Sequence, residues 1–139
     1  MLDARPMAEL WPMIEATLAA GGCFRLWPRG GSMRPLLREG VDSVLLYPPK
    51  DLAPLDIVLL REESGRFLLH RIVSLCEDGV TLAGDALSTT EGPFPQGMVL
   101  AKVGCIYRGE RAYRTDARAI RAFYRRAILK KRLRRLLCR

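Results

Sequence analysis

Between Cys23 and Tyr113 the apolar residues come in short runs broken by turn formers, and this pattern constrains the fold more than any other feature of the chain. The runs are Phe24–Trp27, Ser43–Tyr47, Ile57–Leu60, Phe67–Val73, Val80–Leu82 and Val99–Tyr107. Between them lie Pro28-Arg29-Gly30-Gly31, Pro48-Pro49, Pro54, Glu62-Glu63-Ser64-Gly65, Asp78-Gly79 and Gly92-Pro93. Many short strands with frequent turns predict a mainly β, mostly antiparallel domain and argue against alternating β-α-β units. The stretch after Ser64-Gly65 reads as the second arm of a hairpin.

Helices are expected at both ends. Met7, Leu10, Trp11, Ile14 and Leu18 recur at helical spacing, and Gly21-Gly22 is a helix stop. Because proline is tolerated only in a helix's first turn, Pro12 places the regular start near Trp11. From about Asp116 a second stripe, Ile120, Phe123, Tyr124, Ala127 and Ile128, continues through Leu133, Leu136 and Leu137, with Arg and Lys on the other faces. The chain divides into a body with its N-terminal helix, 1–116, and a basic amphipathic helix, 117–139. At 139 residues, 49% hydrophobic and 27% charged, it has the composition of one globular domain with a modest core.

The net charge of +8 is unevenly placed. Arg118 to Arg139 holds ten basic residues and no acid, whereas 1–117 holds 13 basic and 15 acidic residues, a net of −2. The overall basicity is therefore a property of the tail and does not argue for nucleic-acid binding by the body. No helix–turn–helix reader is visible either. The tail suits an anionic membrane surface or an acidic partner such as a precursor peptide, and less so electrostatic contact with nucleic acid; its stripe also suits packing on the domain. No apolar run approaches the roughly 20 residues of a membrane-spanning helix, and the first residues do not read as a signal peptide. A cytoplasmic protein, peripheral at the membrane if the tail binds lipid, is the expectation. Cys23, Cys76, Cys105 and Cys138 are scattered, without a Cys-x-x-Cys pair, and there is one histidine, so neither a zinc site nor another cofactor is expected; the thiols read as free. Phe24, Leu26 and Trp27 read as core or groove wall rather than as a cofactor site.

The segment that carries chemistry is Gly30-Gly31-Ser32-Met33-Arg34-Pro35-Leu36-Leu37. A serine hydroxyl becomes a nucleophile when a base removes its proton, and backbone N–H groups must hold the oxyanion that forms. Gly30 and Gly31 let the chain turn sharply and let a substrate backbone come close, and Pro35 stiffens the exit. Ordinary turn chemistry accounts for the same residue types. His70, the only histidine, ends the apolar run Phe67-Leu68-Leu69. An imidazole with its ordinary pKa of about 6.5 suits general-base work near neutral pH, and an inert strand histidine fits the same position. Met33 fits both a groove-lining and a gap-filling role.

These pieces in order resemble the signal peptidase I family and its relatives, the self-cleaving LexA-type repressors. The matching pieces are Gly30–Leu37, Gly40–Tyr47, Leu55–Leu60, Leu69–Val73, Ala83–Asp85 and Val103-Gly104, over about residues 24–108. The resemblance implies a LexA/signal-peptidase-like β domain with flanking helices, Ser32 as nucleophile, His70 as base, and Gly30, Gly31, Met33 and Pro35 around the oxyanion and substrate. His70-Arg71 stands where the bacterial enzymes have lysine followed by arginine, which looks like the endoplasmic-reticulum and archaeal branch. There an acid six residues after Gly-Asp orients the histidine; here Gly84-Asp85 is followed by Glu91, with Asp85 itself the competing candidate. The chain departs from the family in Gly30, where a serine often helps the oxyanion hole, in Leu55-Asp56 for Gly-Asp, in the extra Val41, and in the lack of a membrane anchor.

The expected activity is that of a serine endopeptidase removing a leader or pro-segment from a specific precursor peptide or protein. The alternatives are a catalytically inactive peptide-binding module of the same fold and a LexA-like self-processing protein, which would need a scissile loop upstream of Ser32.

Overall fold

A computed structural model describes residues 5–115 and, in the basic tail, Arg118, Arg121, Ala122, Arg125, Arg126, Leu129 and Lys130, all seven of them helical. The remainder of the helix expected over 117–139 lies outside the described residues. The fold is mainly β. A helix, Met7–Ala19 (α1), precedes strands Phe24–Leu26 (β1), Asp42–Tyr47 (β2), Ile57–Arg61 (β3), Phe67–Cys76 (β4), Gly79–Ala83 (β5), Glu91–Phe94 (β6), Val99–Arg108 (β7) and Arg111–Arg114 (β8). They form one sheet in the order β1-β2-β7-β3-β4-β5-β6, with β8 also on β7, and every pairing is antiparallel.

The four apolar residues of β3 explain the layering. Ile57 and Leu59 join one core cluster with Leu10, Ile14 and Leu18 of α1, Leu26, Val44, Leu46, Ala101 and Val103. Val58 and Leu60, pointing the other way, join a second with Leu68, Ile72, Val80, Leu82 and Val99. A strand buried on both faces needs a continuous apolar run, which is what Ile-Val-Leu-Leu supplies. Register shifts at Leu45/Leu46, Leu59/Leu60 and Ile72/Ser74 mark bulges, which increase local twist and bend a sheet.

α1 starts at Met7 rather than near Trp11, and Pro12 lies inside it. Pro6 caps it, its carbonyl accepting from Glu9 and Leu10 N–H at 3.0 and 3.1 Å. Pro12 removes the N–H that would have reached the carbonyl of Ala8. Burial of Leu10, Ile14 and Leu18, each about 1.5–3 kcal/mol relative to exposure, offsets that loss. The tertiary term overrides the local one.

Two strands lie where none was expected. β6 contains Gly92-Pro93, a turn signal, and pairs with β5 at the sheet's edge, where a proline leaves no ladder bond unmade. β8 follows a turn through Gly109 and is exposed along its whole length, so it lacks the alternation that marks a half-buried strand. Among the described residues no helix is long and apolar enough to cross a membrane.

Candidate active site

Ser32 sits in the long connection between β1 and β2. Arg34 N–H bonds the carbonyl of Gly31 at 3.1 Å and Leu37 N–H that of Met33 at 2.9 Å, so the segment closes into consecutive turns. Met33 and Leu37, 4% and 3% exposed, anchor it in the first core cluster. Gly30 has φ +83° with open space where a side chain would be, so the glycine answers a backbone requirement rather than a steric one. The far end is held by Asp42, whose carboxylate accepts from Arg38 N–H at 2.8 Å and from Arg108 Nε at 3.0 Å. Arg108 Nη2 also donates to the carbonyl of Leu36 at 2.9 Å.

His70 lies on β4, opposite Val58 of β3, and is buried. Its Nε2 is 3.2 Å from Ser32 Oγ. These residues, 38 positions apart, are thus at the outer limit of ordinary hydrogen-bond reach.

The neighbouring residue, Arg71, links the two elements through a second set of contacts. Arg71 is 1% exposed, and its guanidinium bonds both oxygens of Asp85, with Nε to Oδ1 at 2.7 Å, and the carbonyl of Leu55 at 2.9 Å. The loop that Asp85 anchors carries Ala86, whose N–H donates to the carbonyl of Ser32 at 2.9 Å. The approach is too close for any residue but glycine at 84, because a Cβ there would lie 2.6 Å from that same carbonyl oxygen. A chain of contacts therefore runs from β4 through Arg71, Asp85 and Ala86 to the backbone of Ser32.

The two acids considered as third residue both meet arginines. Asp85 forms a buried ion pair with Arg71, and Glu91 lies 2.6 Å from Nη2 of Arg66. Arg66 is also paired with Glu62, and the Arg66 hydrogen bond is the largest influence holding the Glu62 carboxyl below its ordinary value.

Ser32 and His70 open onto a groove of about 450 Å³. Gly30, Met33 and Glu91 line it, whereas Gly31 and Pro35 do not. Met33 is a core side chain that also lines the groove. The charged rim is Arg5, Arg29, Arg38 and Arg66 against Glu39 and Glu91. Residues 67–70 of β4 pair with β3 on one edge, while β5 joins the other edge only from Arg71 onward. Among the described residues, no strand pairs with that second edge beside the groove.

Sequence reasoning passed over Arg71 and the contribution of α1, whose Met7 and Leu10 form part of the groove wall. The first had a signal: an arginine inside Leu69-His70-Arg71-Ile72 on a buried strand requires a carboxylate partner. The second had none, since only the packing of α1 brings it there. No family model, no curated protein and no solved structure matches the chain.

Proposed function

We propose that this protein is a serine endopeptidase that removes a leader or pro-segment from a precursor peptide or protein, with Ser32 as nucleophile and His70 as general base. The carrying observation is the 3.2 Å approach of Ser32 Oγ to His70 Nε2 at the edge of an open groove. The resemblance of Gly30–Leu37, Leu69–Val73 and Ala83–Asp85 to the signal peptidase and LexA-type blocks supports the same reading, and with it a fold of that type. The edge of β4 over residues 67–69, on which no described strand lies opposite β3, supports a peptide substrate, since an extended chain can add to such an edge through main-chain hydrogen bonds.

The role requires the His70 tautomer with its proton on Nδ1, so that Nε2 accepts the hydroxyl of Ser32. Attack of Oγ on the scissile carbonyl carbon passes that proton to Nε2, and backbone N–H groups such as that of Ser32 would hold the oxyanion. Collapse breaks the C–N bond, and the imidazolium returns the proton to the leaving amine. Water then attacks the acyl-enzyme with His70 again as base, releasing the acid and restoring the hydroxyl.

Ser32→Ala and His70→Ala are each expected to fold and to lose cleavage by several orders of magnitude, as read by mass spectrometry of a peptide library. Covalent labelling by a fluorophosphonate is expected in the parent and absent from Ser32→Ala. The base must be neutral, and an imidazole ordinarily titrates near 6.5, so kcat/KM is expected to rise through the neutral range. A folded Ser32→Ala that cleaves at the parental rate, or a rising limb at about pH 9 or above, would overturn the assignment. A parent that binds peptides but neither cleaves nor labels would be an inactive binding module.

A further inference from the structure

We infer that the groove beside Ser32 selects its peptide by a large aliphatic or aromatic side chain, and that α1 builds the wall that sets this preference. The inference rests on the proposed peptidase reading and names the substrate class of that site. The floor of the groove is Leu26, Met33, Leu37 and Leu59, with Leu10 of α1 in the wall, all buried members of the first core cluster. The charged side chains lie around the rim, and no polar side chain belongs to this floor. The groove as a whole, about 450 Å³, has room for several residues of a peptide together with a large side chain on this floor. Water is a poor occupant of an apolar recess, because it needs two to four polar partners. A volume of this size instead lies in the range of sites that enclose a substantial ligand.

The wall is fixed in place. Leu10 is packed with Ile14 and Leu18, and the ring of Trp11 lies 6.2 Å from that of Phe67, the first residue of β4. The helix is thereby tied to the strand whose open edge would carry the substrate backbone. In an extended peptide alternate side chains face the same way, so a chain held on Phe67–Leu69 can direct one of them to the floor. Met7 is half-buried at the groove wall, outside the fully buried core. Its unbranched thioether adapts to the shape it meets.

The experiment uses alanine-based decapeptides in which one position at a time carries Ala, Leu, Phe, Lys or Glu. Cleavage is followed with the full-length protein, and binding with the Ser32→Ala variant by fluorescence anisotropy of the labelled peptides. Leucine or phenylalanine at one position near the scissile bond is expected to exceed alanine by about tenfold or more in both measurements. Met7→Trp, which narrows the recess, is expected to shift the ranking toward alanine, and Met7→Ala toward phenylalanine, with melting temperatures confirming that both variants fold. A preference for alanine or for a charged residue, or a ranking indifferent to both Met7 variants, overturns the inference. Ser32-dependent cleavage without the apolar preference overturns the pocket and leaves the peptidase. Leucine-selective binding without any cleavage overturns the peptidase and leaves the pocket. Neither binding nor cleavage of any library member overturns both.

Discussion

A second residue pair, Arg71 and Asp85, ties together the elements that carry Ser32 and His70, and the roles expected of the two acids follow from that. Arg71 and Asp85 are both almost fully buried, with side chains 1% and 5% exposed. Removing one partner of such a pair leaves an uncompensated charge and costs about 3–5 kcal/mol. Asp85→Ala is therefore expected to lower stability by that order, and Asp85→Asn by less. In the proposed peptidase Asp85 would act as a positioning residue, through the Ala86 N–H on the carbonyl of Ser32. Asp85→Asn is expected to lower kcat by at least about tenfold at temperatures where it remains folded, with KM little changed, because the base and nucleophile lose their set distance while the groove remains. Glu91→Gln is expected to leave kcat within a few-fold of the parent, since its partner is Arg66 on the groove's rim. The check is a pair of kcat and pH profiles. A carboxylate that orients an imidazole stabilises its protonated form, so loss of the true orienting residue moves the rising limb to lower pH. A collapse of kcat with such a shift in Glu91→Gln alone would assign the role to Glu91.

At the scale of elements, the segment bearing Ser32 depends on a charge that burial would by itself disfavour. Asp42 is fully buried at the start of β2. Burial pushes its acid up, but the hydrogen bonds from Arg108 and Arg38 N–H and the charges of both arginines outweigh it, leaving Asp42 below its ordinary value of 3.8. A carboxyl with a lowered folded pKa adds stability that is fully present above the unfolded value and is lost as pH falls through the folded one. Acidification from about pH 5 toward pH 2 is therefore expected to weaken the parent more than Asp42→Asn, which is itself less stable at pH 7 by about 1–3 kcal/mol. Urea unfolding midpoints against pH for the two proteins measure this, and parallel curves would exclude Asp42 as a source of acid lability. The same scale shows what the chain's own pattern conveys. The six apolar runs became β1, β2, β3, β4, β5 and β7 with small changes at their ends, because burial of apolar side chains both writes the pattern and forms the strand. β8 carries no such pattern, β6 is an edge strand written in turn residues, and α1 runs through a proline that local rules place near its start. The serine box and His70 were legible as residues; their 3.2 Å approach was not, because it is fixed by Arg71, Asp85 and the bare Cα of Gly84, which act through space.

The molecule as a whole carries its charge asymmetrically, and that separation bears on where it works. The segment 1–117 has a net charge of −2, and the ten basic residues beyond it account for the excess. Among the described residues of the tail, Arg121 lies 3.6 Å from the buried Asp56, which Lys102 also approaches at 3.4 Å. Arg118, Arg125, Arg126 and Lys130 are exposed, and so is Leu129, at 57%. One tail arginine thus meets an acid of the body, while other basic side chains and an apolar one face outward. The proposal that this helix serves an anionic surface has a quantitative basis: each basic residue near such a bilayer contributes about 1 kcal/mol, and the attraction decays over about 8–10 Å at moderate salt. Truncation after Asp116 is expected to leave turnover of a short peptide nearly unchanged, because the groove and the Ser32–His70 pair are built from residues 5–91. Binding of the full-length protein to vesicles containing phosphatidylserine is expected to weaken as salt is raised and to vanish in the truncated form. The opposing expectation is that the stripe of Ile120, Phe123, Tyr124, Ala127 and Ile128, outside the described residues, completes the core. Truncation would then lower the melting temperature by many degrees, since each 1 kcal/mol lost shifts the melting point of a domain this size by about 2–8 °C. A strongly destabilised truncation, together with full-length protein that ignores anionic vesicles, would make the tail a structural element and remove the surface from its role.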